Sequence, residues 1–128
     1  VCLDSTWIYD FLRGKQNALV TLEAVKSSHS MATTSINAYE VIYGLLRKNE
    51  LKKLIAVMQF FKSVRMVDFD LSAAEKAAQI GAILEKRGKM INEFDILIAG
   101  AMLANGCRKI VTENVKDFEK VDGISCIP

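Results

Sequence analysis

The sequence predicts an α/β fold of three layers, with helices on both faces of a mostly parallel sheet of four to five strands. Short apolar runs alternate with longer stretches of helical periodicity, a pattern typical of parallel strands joined by helices. Proline occurs only at position 128, so none interrupts an internal helix. Apolar residues make up 51% of the 128 positions, which is enough for one core, and we expect a single domain over residues 1–128.

Each predicted strand is a short run of apolar or β-branched residues bounded by polar residues or glycine. The run at 1–3 ends at Asp4, and in the run at 64–69 Val64 and Met66 alternate with Arg65. The predicted strands are residues 1–3, 30–33, 64–69, 109–112 and 123–127.

Helices are predicted where apolar residues recur at every third or fourth position. Ser5 or Thr6 is expected to cap the first helix, and Ser35 to open another. The helix at 92–104 is apolar at nearly every position, which predicts burial on all sides. The helix that opens at Ser35 carries Ile36, Tyr39, Tyr43 and Leu46 at helical spacing. The helix at 71–86 is expected to face inward with Leu71, Ala74, Ala77, Ala78, Gly81 and Leu84. The other predicted helices are residues 5–12, 17–26 and 51–61, with a helical turn at 115–118.

The charge balance and the length of the apolar runs exclude several classes of protein. Seventeen Lys and Arg against fifteen Asp and Glu leave a net charge of +2, far less than a histone-like or tail-type nucleic-acid binder carries. Charged residues interrupt the apolar runs well before the length of a transmembrane helix. Asp4 and Asp10 also break any early apolar run, so we expect neither a signal peptide nor a membrane partner.

The cysteines and the single histidine form no recognisable chemical motif. Cys2, Cys107 and Cys126 are widely spaced among apolar residues, which predicts buried free thiols in a reducing cytoplasm and not a disulfide framework or a zinc site. His29 lies in a serine-rich stretch without an accompanying nucleophile motif. We therefore expect a solvated loop histidine and not a member of a Ser-His-Asp triad.

The candidate catalytic residues are polar side chains next to strand ends and helix starts. Asp4 follows the first predicted strand, Asn114 and Asp117 follow the fourth, Glu40 lies in the helix that opens at Ser35, and Asp95 lies in the first turn of the most apolar helix. In parallel α/β folds the ligand crevice lies beyond the carboxyl ends of the strands. We therefore expect these side chains to meet at one edge of the sheet.

Each of these residues also has an ordinary structural explanation. An Asp after a strand often only forms a turn, and an Asp in the first turn of a helix compensates the helix dipole. Convergence of several carboxylates favours a site, because they raise one another's pKa unless a cation neutralises them. Oxygen ligands suit Mg²⁺ or Mn²⁺, and a water activated by such an ion can hydrolyse a phosphodiester.

Four motifs follow one another along nearly the whole chain: LDST at 3–6, TSINAYEVIYG at 34–44, FDILIAGA at 94–101 and VTENVKDF at 111–118. In this order and spacing they resemble the PIN-domain family, and within it the VapC-type toxin ribonucleases of toxin–antitoxin pairs. The resemblance implies a PIN-like fold and a metal-dependent endoribonuclease that uses Mg²⁺ or Mn²⁺. It also implies an RNA substrate, a cognate antitoxin protein and a homodimer.

The resemblance also implies roles for individual residues. Asp4, Glu40 and Asp95 match the family's three main acidic positions, as metal ligands and catalytic groups. At the fourth position many members carry Asp, whereas this chain has Asn114, a ligand without charge; Asp117 either takes over as a catalytic acid or caps the turn. The remaining assignments each have an alternative. Glu93 is either a further metal ligand or an exposed residue at a helix start. The hydroxyls of Ser5, Thr6 and Ser35 either orient Asp4 or a substrate phosphate, or they cap helices.

Residues around the predicted crevice have two explanations each. Basic side chains there either neutralise RNA phosphates or are merely solvated, and Trp7 and Tyr9 either stack an RNA base or pack in the core. An apolar stripe in the second half of the 45–61 segment is either core or a groove for a dimer partner or an antitoxin. The basic residues are Arg13, Lys15, Arg47 and Lys48, and the stripe is Leu51, Leu54, Ile55, Met58 and Phe61.

Two other functions compete with the nuclease. A catalytically degenerate PIN-like module that binds nucleic acid or protein is suggested by Asn114, although three acids are intact. A phospho-acceptor receiver domain shares the length and the parallel sheet. It would require an acidic pair after the first strand, where this chain has the single Asp4.

Overall fold

The computed structural model describes residues 1–27 and 29–127, and its centre is a parallel sheet. Five strands lie in the order β3-β2-β1-β4-β5, and every neighbouring pair is parallel. This confirms the predicted α/β class and its parallel sheet. The strands are β1 Cys2–Leu3, β2 Ala32–Thr34, β3 Arg65–Val67, β4 Lys109–Val111 and β5 Ser125–Ile127.

Helices connect the strands and cover the two faces of the sheet. The two residues of β1 show the division, because successive strand residues point to opposite faces. Cys2 belongs to a core cluster with residues of α5 and α6, whereas Leu3 belongs to a cluster with residues of α1 to α4. The helices are α1 Ser5–Leu12, α2 Gln16–Lys26, α3 Ser35–Arg47, α4 Leu51–Ser63, α5 Leu71–Lys86, α6 Glu93–Ala104 and α7 Val115–Phe118.

The predicted helices are all present, but the buried face differs from the prediction in two of them. In α5, Leu71 and Ala78 are exposed, and the inward residues are Ala73, Ala77, Ile80 and Leu84. The reason is that α5 packs closely against α6, where Gly100 leaves no room for a side chain facing Ala77. In α3, the tyrosines and Leu46 point to solvent, while the buried residues are Asn37, Val41, Gly44 and Leu45.

Two smaller expectations are also corrected. The strand predicted at 30–33 lies at Ala32–Thr34, where it pairs with β1 and β3. Of the cysteines only Cys2 is buried, because Cys107 lies before β4 and Cys126 lies on the edge strand β5, where both are partly exposed. Within residues 1–27 and 29–127, no helix is long and apolar enough to cross a membrane.

Candidate active site

Asp4 lies at the point in the sheet where the strand order reverses. Its strand, β1, has β2 on one side and β4 on the other, and the crossover to β4 leaves a crevice at the carboxyl ends of the strands. The backbone N–H of Asp4 donates to Val111 O at 3.0 Å, so residue 112 stands beside residue 4. The topology thus brings together two residues that lie far apart in the sequence.

Three side-chain donors hold the Asp4 carboxylate, which is 2% exposed. Thr112 Oγ1 and Thr6 Oγ1 donate to Asp4 Oδ2 at 2.7 and 3.1 Å, and Asn37 Nδ2 donates to Asp4 Oδ1 at 2.8 Å. A buried carboxylate with this many donors is fixed in position. The expectation that Ser5 or Thr6 caps α1 is wrong, because Asp4 itself occupies the N-cap position and both hydroxyls are engaged with acidic side chains.

Asn37 connects the start of α3 to the acidic residues. Thr34 Oγ1 accepts from the backbone N–H of Asn37, and Asn37 Oδ1 accepts from the N–H of Thr34, a reciprocal capping box. The same side chain donates to Ser5 Oγ at 2.9 Å as well as to Asp4. The cap therefore fixes where α3 presents its first turns to the carboxyl end of β1.

Glu40 stands on the next turn of α3 and faces Ser5. Ser5 Oγ donates to Glu40 Oε1 at 2.8 Å. Burial raises the pKa of Glu40 and the charge of Asp4 adds to this, while the Ser5 hydrogen bond acts in the opposite direction. Glu40 is thus a half-buried carboxyl within electrostatic reach of Asp4.

Asp95 is the most perturbed acid of the site. It is 4% exposed, and its Oδ2 is a buried atom without a hydrogen-bond partner. Burial, a hydrogen-bonding interaction with the Asp117 carboxyl, and the charges of Asp4, Asp117 and Glu40 raise the pKa of Asp95 to about 8. The N-terminus of α6 favours a negative charge there, but desolvation and repulsion outweigh it.

The fourth acidic position has two occupants close together. Asn114 is exposed, and its backbone N–H donates to Thr112 Oγ1 at 2.9 Å, while its side chain makes no capping bond to α7. Asp117 lies on α7, interacts with Asp95 and accepts from the N–H of Asn92 at 3.4 Å. Asp117 is therefore coupled to the other acids, and the part each residue plays in binding a metal stays a prediction.

The remaining predicted residues differ in how close they lie to the acids. Ser35 Oγ accepts from the backbone N–H of Phe69 at 3.0 Å, a link between α3 and the segment after β3, and its substrate role stays a prediction. Glu93 is exposed at the start of α6. Trp7 is 4% exposed and stacks on Phe11 with ring centroids 5.1 Å apart, so it packs in the core and is not available for a base.

The donor set suits a hard divalent cation, although the carboxylates do not form a closed cage. No group of three or more His, Cys, Asp or Glu side chains in residues 1–27 and 29–127 is arranged to hold a metal ion. The buried, unpartnered oxygen of Asp95 and the raised pKa of its carboxyl nevertheless fit a positively charged ligand. Carboxylate and amide oxygens are the ligands that Mg²⁺ and Mn²⁺ prefer.

Sequence reasoning missed two residues that shape this site, Asn37 and Thr112. Both hold Asp4 through their side chains, and both are buried. The spacing of Thr34 and Asn37 was a usable signal, since a capping residue followed three positions later by an amide marks a helix start. The neighbourhood of Thr112 and Asp4 had no such signal, because it depends on the register of β1 against β4.

Comparison with known proteins agrees with this geometry. A family model described as PIN domain matches residues 1–124. The tRNA(fMet)-specific endonuclease VapC of Shigella flexneri is 35% identical over 95 residues, which are 73% of this chain and 71% of that protein. The enzyme of the same name from Salmonella typhimurium is 33% identical over 95 residues, again 73% of this chain and 71% of that protein.

The fold has close counterparts among solved structures. The DNA-bound VapBC of Salmonella typhimurium matches with a TM-score of 0.83 and 27% identity, covering 98% of this chain and 95% of that one. VapBC2 of Rickettsia felis, bound to a promoter DNA fragment, matches with a TM-score of 0.86 and 21% identity over 98% of this chain and 96% of that one, which is evidence of a shared fold. The family model covers most of the chain, curated relatives are more than 30% identical, and the acids lie around β1. The chain therefore belongs to the PIN domain family.

Proposed function

We propose that this chain is a metal-dependent endoribonuclease and the toxin of a toxin–antitoxin pair. Its curated relatives are named as endonucleases and ribonucleases of the VapC type, and solved neighbours are toxin–antitoxin complexes. The observation that carries the proposal is Asp95, a buried carboxyl with an unpartnered oxygen beside Asp4, Glu40 and Asp117. An uncompensated acidic cluster at a strand-order reversal is what a cation-dependent nuclease requires.

In this proposal Asp4, Glu40 and Asp95 hold the cation, with Asn114 or Asp117 in the fourth position. Magnesium or manganese fits best, because all the available donors are hard oxygens. When bound, the ion supplies the positive charge that lowers the pKa of water and neutralises the phosphodiester during hydrolysis.

Other side chains of the site position the acidic residues. Thr6, Thr112 and Asn37 fix Asp4 before the substrate arrives, so little reorganisation is needed at the reacting centre. Ser5 orients Glu40 through its hydroxyl hydrogen bond. Burial and the neighbouring acids raise the pKa of Asp95, so this carboxyl holds a proton near neutral pH and would have to lose it to bind a cation.

The antitoxin belongs to the proposal as the partner that restrains the nuclease, and a homodimer is expected alongside it. The stripe on α4 supports a protein contact, since Leu51, Ile55 and Met58 are exposed while Phe61 is buried. Of the two alternatives for this stripe, Leu54 and Phe61 fit the core, whereas Leu51, Ile55 and Met58 are free to contact a partner. We propose that an apolar helix of the antitoxin covers the exposed part.

The decisive experiment is cleavage of a mixed RNA pool by the purified protein, freed of antitoxin. We expect cuts with Mg²⁺ or Mn²⁺, none with EDTA, and none by Asp4→Asn or Asp95→Asn. Asp68→Asn, an exposed acid in the loop before α5, serves as the matched control and should cleave normally. A folded wild-type protein that neither cleaves RNA nor binds Mn²⁺ in calorimetry would establish the binding-module alternative instead.

A further inference from the structure

Three aromatic rings form a continuous exposed surface beside the acidic site. Tyr39 and Tyr43, one turn apart on α3, stack with centroids 5.9 Å apart, and Phe94 at the start of α6 lies 5.9 Å from Tyr39. They are 53%, 55% and 40% exposed. We call these three residues the aromatic platform.

The aromatic platform and the acidic site share one groove. Tyr39, Tyr43 and Phe94 line an open groove of about 500 Å³ together with Ser5, Thr6 and Glu40. Tyr39 directly precedes Glu40, and Phe94 directly precedes Asp95. A molecule lying on the rings is therefore next to the carboxyl of Glu40.

The charges along the groove differ from one end to the other. The carboxylate of Glu40 lines the groove beside Ser5, and Arg47 lines it two turns further along α3. Arg13 lies over the ring of Tyr9, which lines the same groove, at 5.8 Å from its centroid. An anionic chain can thus place one phosphate at the cation-binding acids and another near the guanidinium of Arg47.

We propose that Tyr39, Tyr43 and Phe94 are substrate-positioning residues, and that the aromatic platform stacks substrate bases next to the scissile phosphate. This rests on the proposed ribonuclease function and names the part of the substrate that the groove selects. Flat, exposed rings bind any base through its π-face but cannot reach bases that are stacked inside a duplex. Arg47 in the same groove favours an anionic chain over a basic polypeptide.

The platform is also an unusual surface for α3 to expose without a ligand. The helix buries the opposite face, with Val41 and Leu45 in the core, so packing does not require aromatic residues at positions 39 and 43. Adjacent exposed rings form an apolar patch of the kind that marks binding sites. Stacking on a base removes this surface from water.

The test uses matched variants that keep or remove the ring. Tyr39→Leu and Tyr43→Leu should each raise KM for a short single-stranded RNA by about tenfold while kcat changes little, and Tyr39→Phe and Tyr43→Phe should restore the wild-type KM. Leu46→Ala, at another exposed position of α3, is the control and should leave both constants unchanged. The same oligonucleotide annealed to its complement should be cleaved poorly by every form.

Binding of a fluorescent single-stranded RNA to the Asp95→Asn protein separates the two proposals. If wild-type protein does not cleave RNA but binding still falls in the Leu variants, the ribonuclease proposal fails and the platform stands. If the Leu variants cleave and bind RNA as wild type does, the platform is overturned. A change only in the molecular mass measured by sedimentation, with RNA affinity unchanged, would also overturn it, because the rings would then be a protein interface.

Discussion

The side chain of Asn37 donates to Asp4 Oδ1 at 2.8 Å and to Ser5 Oγ at 2.9 Å. The same amide completes the capping box at the start of α3 with Thr34. One buried side chain thus fixes the helix that carries Glu40 and the carboxylate that ends β1. The stability of the fold and the geometry of the acidic site are coupled through this residue.

Replacing Asn37 should therefore damage both stability and cleavage. Asn37→Leu leaves Asp4 and Ser5 buried without their donor, which should lower the free energy of unfolding by about 1–3 kcal/mol. Asn37→Asp should be worse, since it sets a second carboxylate against Asp4. Urea unfolding and RNA cleavage measure the two effects, with exposed Asn17→Ala as control. An Asn37→Leu protein that unfolds at the wild-type urea concentration and cleaves RNA at the wild-type rate would contradict this prediction.

The metal-free protein should become less stable as pH rises from about 4 to about 8 because of Asp95. The unfolded carboxyl ionises near 3.8, whereas the folded one keeps its proton up to about 8. Within this window the folded state binds one more proton than the unfolded state, so raising the pH favours unfolding, by an amount on the order of 2–4 kcal/mol over the window.

Asp95→Asn should remove this pH dependence and be more stable than wild type near pH 8 in EDTA. Asp68→Asn is the control and should show the wild-type dependence of the unfolding free energy on pH. Denaturant unfolding at a series of pH values measures the difference. Parallel curves for wild type and Asp95→Asn would show that Asp95 is ionised in the fold at neutral pH.

Binding of Mn²⁺ should release a proton at pH 6.5. Asp95 holds that proton in the metal-free form and must lose it to become a ligand. Calorimetry in buffers with different ionisation enthalpies should give a release close to one proton at pH 6.5 and much less at pH 9. Asp95→Asn should bind weakly and release none. Proton release that is equal at both pH values would contradict the assignment to Asp95.

Gly100 permits the close contact between α6 and α5. A Cβ at this position would lie 2.7 Å from the backbone N and Cα of Ala77, which cannot move aside as a flexible side chain can. Gly100→Ala should therefore lower the free energy of unfolding by about 1–3 kcal/mol.

Gly81→Ala on α5 is the matched control for this contact. Its new methyl group would have Ile96 Cγ2 at 3.9 Å as nearest neighbour, so it should stabilise the helix by up to about 1 kcal/mol. Thermal unfolding of both variants tests the pair. If both substitutions raised the unfolding temperature equally, α5 and α6 would have to move apart easily to admit the new methyl group.

The exposed stripe of α4 should be needed for the antitoxin and not for catalysis. Ile55 is 67% exposed, so Ile55→Asp should leave folding and RNA cleavage unchanged. The charge would face the apolar helix of the antitoxin, and we expect affinity for the co-expressed antitoxin to fall at least tenfold. Lys52→Asp, also exposed on α4, controls for the added charge. Undiminished complex formation by Ile55→Asp would exclude this surface.

Local patterns were sufficient for the elements and for three of the acids. Each helix shows its apolar spacing within a dozen residues, and glycine or a capping residue marks its ends, so α5 and α7 were predicted with the observed bounds. The inward face of α5 was predicted correctly at Ala77 and Leu84, but the burial of Ala73 and Ile80 was missed, because small apolar residues surround the helix and do not define one face. The same limit explains the tyrosines of α3, whose spacing fits either a core face or an exposed one.

The sequence by itself determined the α/β class and the order of the elements, and it placed Asp4 after β1, Glu40 on α3 and Asp95 at the start of α6, because these depend on short-range periodicity. Only the tertiary structure decided that Thr112 and Asn37 hold Asp4, that Asp95 is buried with an unpartnered oxygen, and that Tyr39, Tyr43 and Phe94 form one surface. These relationships depend on strand register and helix packing, which join residues up to 108 positions apart. Desolvation and side-chain contacts at such distances arise only when the chain has folded.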